Sequence, residues 1–249
     1  YKRQGYPELE YAHLPLVLGE DKKRLSKRHA ATSLNAYKEM GFTKETIINA
    51  LALLGWSTEN EIFSIDELIE SFKLENVQKA AAVFDLKRFN WVSSQQLAKL
   101  DENSFFEVIK PFMEDEDISE DYPNYKKILL AMRTSKTNLK DIAHATRPFF
   151  FELDGYDEKG VKKFLNESLE TLTFALEVLS KLTEWNETEL DMALIKVRDY
   201  FNLPIPKVNQ PMRIALVGST VSPSLGLTLE LFGKEKSLER IQKAIDFIS

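Results

Sequence analysis

Apolar residues recur at steps of three and four along most of the chain. In residues 44–55 ("KETIINALALLG"), Ile47, Ile48, Leu51 and Leu54 fall on one helical face, with Thr43 at the N-cap position and Gly55 at the end. Residues 64–72 ("SIDELIESF") open with Ser64 and Glu67 at capping-box spacing, and Ser93/Gln96 and Ser104/Glu107 repeat that signal ahead of further helices. "YKKILLAMR" (125–133) and "NLKDIAHAT" (138–146) are helical in pattern. Residues 157–182 line up Val161, Leu165, Leu169, Leu172, Leu176 and Leu179 and predict one long amphipathic helix. Residues 187–202 repeat the stripe with Leu190, Leu194, Val197 and Phe201. "LPIPKVNQP" (203–211) is a proline-marked connection. Helices follow over 212–219, to Gly218, over 223–233, to Gly233, and over 235–248.

Strand signals are confined to the beginning. "YAHLPLVLG" (11–19) is an apolar run of the buried-strand type, enough for one strand pair. No internal repeat interrupts the pattern. The fold class is mainly α. The acidic run "EDEDISEDY" (114–122) is a solvated loop or a boundary between modules.

Hydrophobic residues make up 43% of the 249 positions and charged ones 29%, enough to bury one or two cores. The formal net charge is -6, which argues against a generic nucleic-acid coating protein but not against a local basic site. With no cysteine, disulfides and thiolate metal sites are excluded. The three histidines, His13, His29 and His144, are far apart in sequence, so no metal site is expected. No apolar run approaches the roughly 20 residues of a membrane span, and no secretory signal is visible. A cytoplasmic location is the expectation, and the first residues read as the middle of a domain.

"KKRLSKRHA" (22–30) gathers Lys22, Lys23, Arg24, Lys27, Arg28 and His29 into one stretch. Ammonium groups on such a segment suit a triphosphate, because they can follow charge that shifts towards a leaving pyrophosphate. A solvated basic patch has the same composition. The phosphate-cradling pattern GxxxxGK[ST] is absent.

The neighbourhood narrows the choice. "RLSKR" (24–28) resembles the signature loop of class I aminoacyl-tRNA synthetases, in the "KLSKR" form of the bacterial glutamyl-tRNA synthetases. "EMGFTKETIINALALLGWS" (39–57), "AAAVFDLKRFNWV" (80–92) and "MRIALVGSTVSPSLGLTLELFGKEKSLERI" (212–241) are similar to further segments of that family, in the same order. The resemblance runs the length of the chain.

That resemblance implies an ATP-dependent (Mg2+-assisted) ligation of glutamate to tRNA(Glu) by the whole enzyme, acting as a monomer. It implies three regions: 1–98, the end of the catalytic domain and a helical stem-contact region with the loop; 99–156, a first helical anticodon-binding module; and 157–249, a second. The catalytic Rossmann half with its "HIGH" motif is not in the sequence, so the chain alone is expected to bind tRNA without activating glutamate. By resemblance Lys27 contacts ATP phosphates, flanked by Ser26 and Arg28. Arg24 stands where the family usually has lysine, a departure that Lys23 could compensate. Arg213, Ser222, Pro223 and Leu225 lie at the surface that reads the first two anticodon bases. Discriminating members carry an arginine before a "TLKE"-like stretch. Alignment on "TNLKD" (137–141) puts Ser135 there, with Arg133 two residues earlier, which implies that tRNA(Gln) is charged as well. The competing reading is a helical tRNA-binding scaffold without catalysis.

Overall fold

The computed structural model describes residues 2–7, 11–13, 15–25, 33–56 and 58–249. They fall into two compact units, Tyr1–Lys99 and Leu100–Ser249.

In the first unit β1 (Val17–Leu18) pairs in parallel with β2 (Ala82–Val83), Val17 opposite Ala82. The predicted strand run shrinks to those two half-buried residues, because Tyr11 and Leu16 stay exposed. Around the pair lie α1 (Leu34–Glu39), α2 (Lys44–Ala52), α3 (Ile65–Ser71) and α4 (Leu86–Lys99). The Thr43 hydroxyl accepts from the Thr46 N–H at 3.2 Å and starts α2. At α3 both halves of the capping box form: Ser64 Oγ accepts from the Glu67 N–H at 3.2 Å, and Glu67 Oε2 from the Ser64 N–H at 2.7 Å. Aromatic rings fill two small cores. Phe42 meets Phe89 edge-on at 4.7 Å, with Tyr37 and Phe84 beside them. Trp56 packs on Phe63 at 5.3 Å over Leu68.

The predicted face of α2 holds in part: Ile47 and Leu54 pack against the Phe42 core, but the α2–α4 seam is polar. Ile48 and Leu51 point outward, 42% and 44% exposed, while Thr46 and Asn49 are fully buried. The buried groups satisfy one another. Gln96 Nε2 donates to Asn49 Oδ1 and to the Phe63 carbonyl, both at 2.7 Å. Asn49 Oδ1 also accepts from the Phe63 N–H at 3.0 Å, and its Nδ2 donates to the Glu61 carbonyl at 2.9 Å. Ser93 and Gln96 therefore sit in the middle of α4, not at a helix start. A buried amide that pairs both its ends loses little by leaving water, so polar residues can occupy the packed face.

The second unit is helical throughout: α5 (Glu102–Asp115), α6 (Tyr125–Met132), α7 (Leu139–Phe150), α8 (Glu158–Gly160), α9 (Leu169–Ser180), α10 (Glu187–Phe201), α11 (Ile205–Val217), α12 (Leu225–Phe232) and α13 (Lys234–Ile248). Phe105, Ile109, Met113, Leu129, Met132 and Ile142, all fully buried, join α5, α6 and α7. Leu172, Leu179, Leu190, Val197, Met212, Leu216, Leu229 and Ile241 do the same for α9 to α13.

Four expectations are corrected. Asp101, not Ser104, caps α5, accepting from the Ser104 N–H at 3.0 Å and from its hydroxyl at 2.5 Å. The single helix over 157–182 is broken: after α8 a π turn runs from Val161 to Leu165, and Ser168 Oγ donates back to the Leu165 carbonyl at 2.6 Å. Gly160, just before that turn, packs so close to Ile214 of α11 that a Cβ would stand 3.0 Å from its side chain. The connection 203–211 is mostly the first two turns of α11. Pro206 sits in its first turn, where its missing N–H is free of cost, and Pro211 is inside. Pro111 and Pro148 likewise lie within α5 and α7. The carbonyls they leave unpaired belong to Glu107, His144 and Lys207, all exposed residues, so water can take the missing bond. Finally, the acidic run is mostly exposed, as a solvated loop that follows the end of α5, but it is not the boundary between the two units. It lies inside the second unit, where Glu116 Oε2 accepts from Arg147 Nη1 at 2.9 Å and Ile118 is 3% exposed.

Candidate functional site

Residues 17–25 of the first unit double back on themselves. The Leu25 N–H donates to the Val17 carbonyl at 2.9 Å, the Gly19 N–H to the Lys23 carbonyl at 2.8 Å, and Leu18 bridges Arg24. Asp21 Oδ1 accepts from the Lys23 N–H at 3.0 Å and holds the tip. This turn anchors one end of the basic stretch and presents Lys23 and Arg24 to solvent. Ser26, Lys27 and Arg28 lie outside the described residues.

In the second unit α11 ends at Gly218, whose φ of 73° swings the chain into residues 219–224. A Cβ there would meet the Gly155 carbonyl at 2.8 Å, so the turn requires glycine. The Asp157 N–H donates to the Gly218 carbonyl at 2.8 Å and pins it. The turn brings Ser222 and Pro223 against Arg213, one α-helical turn before the end of α11. Arg213 Nε donates to Ser222 Oγ at 3.2 Å and Nη2 to the Pro223 carbonyl at 3.4 Å. Thr228 Oγ1 donates to Ser222 Oγ at 3.1 Å or to the Ser224 carbonyl at 2.9 Å, tying the turn to α12.

Arg213 is half-buried, and desolvation pulls its pKa below the ordinary arginine value. It stays a cation near neutral pH. Among the described residues no carboxylate pairs with it, and its two protein partners are neutral oxygens. Two of the five guanidinium N–H groups are thus engaged, leaving donors for a base edge or a phosphate.

Leu225 corrects an expectation. It is 3% exposed at the first position of α12 and packs into the core, so its side chain is not part of the surface. The residue's neighbours on the turn, Ser222 and Pro223, remain partly exposed.

Arg133 and Ser135 follow α6. Arg133 caps the helix, turns inward, donates from Nη2 to the Leu100 carbonyl and lies 5.2 Å from the centre of the Phe105 ring. Ser135 is partly buried and its hydroxyl has no hydrogen-bond partner among the described residues. Neither residue contacts the Arg213 group.

Sequence reasoning missed Arg240 and the pair Lys127–Glu230. Arg240 is 2% exposed and occupies the apolar stripe of α13 with Ser237, Ile241 and Ala244. An arginine at a core position of the stripe was the readable signal. Lys127 and Glu230 are 103 residues apart and carry no such signal.

The anticodon-binding domain family matches residues 95–245, and the catalytic domain family of class I tRNA synthetases for E and Q matches residues 1–91. Two relatives are a glutamate–tRNA ligase of Syntrophotalea carbinolica, 38% identical over 98% of this chain and 53% of its own length, and one of Thermodesulfovibrio yellowstonii, 35% identical over 99% and 54%. The crystal structure of a glutamate tRNA ligase from Elizabethkingia meningosepticum in complex with its amino acid superposes with a TM-score of 0.78, at 29% identity, over 100% of this chain and 54% of that one. Fold and matches define a helical anticodon-binding domain joined to class I synthetase catalytic-domain sequence. The chain belongs to the glutamyl-tRNA synthetase family. It spans about half the length of the curated relatives it matches.

Proposed function

We propose that this chain is the tRNA-binding part of a glutamate–tRNA ligase, and that residues 100–249 hold the anticodon loop of tRNA(Glu). The observation that carries this reading is Arg213: a half-buried cation with neutral partners only, set beside a turn fixed by Ser222, within the matched anticodon-binding region. A splayed RNA base offers acceptors to such a group, and a phosphate offers charge. ATP and glutamate are substrates of the whole enzyme. Lys23 and Arg24, exposed on the anchored turn, are placed to attract a polyphosphate, with Ser26, Lys27 and Arg28 next in sequence. Mg2+ is read as entering with the nucleotide in the whole enzyme; among the described residues no group of three or more His, Asp or Glu side chains is placed to hold a metal ion. No helix of the described residues is long and apolar enough to cross a membrane.

Titration of the 249-residue chain with a tRNA(Glu) transcript at two salt concentrations tests the reading. Phosphate contacts release counterions, so affinity is expected to fall steeply as salt rises. Salt-independent binding contradicts it.

The position of Arg133 supports a wider tRNA specificity. Its guanidinium is engaged by the Leu100 carbonyl and the Phe105 ring, and Ser135 offers no charge in its place. With Ser135 uncharged at the aligned position and Arg133 directed toward Leu100 and Phe105, the parent enzyme is read as accepting tRNA(Gln) beside tRNA(Glu). Charging both purified tRNAs with the full-length enzyme decides this; rejection of tRNA(Gln) refutes it.

A further inference from the structure

The Ser222–Pro223 turn is connected to α6 through the side chains of Ser224, Glu187, Glu230 and Lys127 and the backbone N–H of Glu187. Ser224 Oγ, at the N-cap of α12, donates to Glu187 Oε1 at 2.5 Å. Glu187 is the first residue of α10, and its N–H donates to Glu230 Oε2 at 2.7 Å. The other oxygen of Glu230 accepts from Lys127 Nζ at 2.5 Å, and Lys127 belongs to α6. The Glu230 carboxylate sits at the start of α10, where the positive end of the helix dipole favours it. Each link is charge-assisted, which makes the distances short. At one end of the path lie Ser222, Pro223 and Arg213; at the other lies the first turn of α6, the helix whose far end carries Arg133 and Ser135.

An exposed ion pair contributes little to stability. Lys127 is 53% exposed, so the pair with Glu230 is a weak clamp for the fold. It is better suited to fixing an orientation. Without it, nothing else described ties α6 directly to α12 by a side-chain hydrogen bond. We infer that Lys127, Glu230, Glu187 and Ser224 form a positioning relay that holds the Ser222–Pro223 turn, and with it Arg213, in register with the end of α6, so that both places meet one RNA loop together. This rests on the anticodon-site reading proposed above.

The test is tRNA(Glu) affinity of the full 249-residue chain carrying Lys127→Met, Lys127→Arg, Glu230→Gln, Arg213→Ala, or Lys127→Met with Arg213→Ala. Lys127→Met and Glu230→Gln are each expected to weaken binding roughly three- to tenfold, while Lys127→Arg restores it. The double variant is expected to lose less than the two single losses combined, because both act through one contact. Thermal midpoints should move by no more than about 4 °C. The sign for Glu230→Gln is decisive. A lysine that simply binds phosphate would be released by that change, and a negative charge would be lost, so binding would tighten. Unchanged or tighter binding by Glu230→Gln, with Arg213→Ala still weakening it, overturns the relay. Unchanged binding by Arg213→Ala overturns the site itself and is read separately.

Discussion

The guanidinium of Arg240 donates from Nη1 to the backbone carbonyl of Leu216. Its Nη2 donates to the Phe151 carbonyl at 2.7 Å, and its centre lies 4.5 Å from the Phe232 ring, itself stacked on Phe149. Leu216 is in the last turn of α11, and Phe151 caps α7. The cation therefore sits at the negative ends of two helices and satisfies carbonyls that the helices leave unpaired. Desolvation lowers its pKa, and among the described residues no carboxylate pairs with it.

Arg240→Ala removes the partner of both carbonyls and opens a cavity beside Phe232. The loss is expected to be about 2–4 kcal/mol, read as a shift in urea midpoint at constant slope. Arg240→Lys, a single charge on a shorter reach, should lose part of that. A midpoint unchanged in Arg240→Ala would mean that the two carbonyls find other partners.

Gly226 lies where α12 crosses α10. A Cβ there would stand 2.5 Å from Asp191 Oδ1 and 2.9 Å from the Glu187 carbonyl. The aspartate side chain can move away; the Glu187 backbone cannot. Gly226→Ala is expected to destabilise by about 1–3 kcal/mol, measured by chemical unfolding. Any gain in stability would contradict the close approach.

The carboxyl of Glu230 titrates below its ordinary value of 4.5, first because Lys127 donates to it, then because the Glu187 N–H does. A depressed folded pKa gives stability that is present above the unfolded value and lost as pH falls through the folded one. The unfolding midpoints of the native chain and Glu230→Gln should therefore converge as pH drops below 4.5. A gap that stays constant through that range would exclude the ionised pair.

Helix existence was legible in the sequence wherever caps and stripes agreed, as at Thr43, Ser64, Gly218 and Gly233. It failed where tertiary contact overrode local signals. Pro211 stays helical because α11 is held on both sides by buried Met212, Ile214 and Ala215. Asn49 and Gln96 occupy a core face because each completes the other's hydrogen bonds, which no single-residue pattern reveals. At the candidate site, the proximity of Arg213 to Ser222 and Pro223 followed from short sequence separation around a glycine turn. The burial of Leu225 did not, since a helix start reads alike from either side. The inward turn of Arg133 depends on a carbonyl 33 residues away, beyond the reach of local periodicity.

The central claim is that Arg213, held by Ser222 and the Pro223 carbonyl, contacts the anticodon loop. The most direct measurement is the dissociation constant of the 249-residue chain for tRNA(Glu), with and without Arg213→Ala, at one salt concentration. A loss of roughly 1–3 kcal/mol in binding, with the thermal midpoint preserved, is the expected result. Equal affinity of the two chains would contradict it and leave Arg213 a purely structural residue.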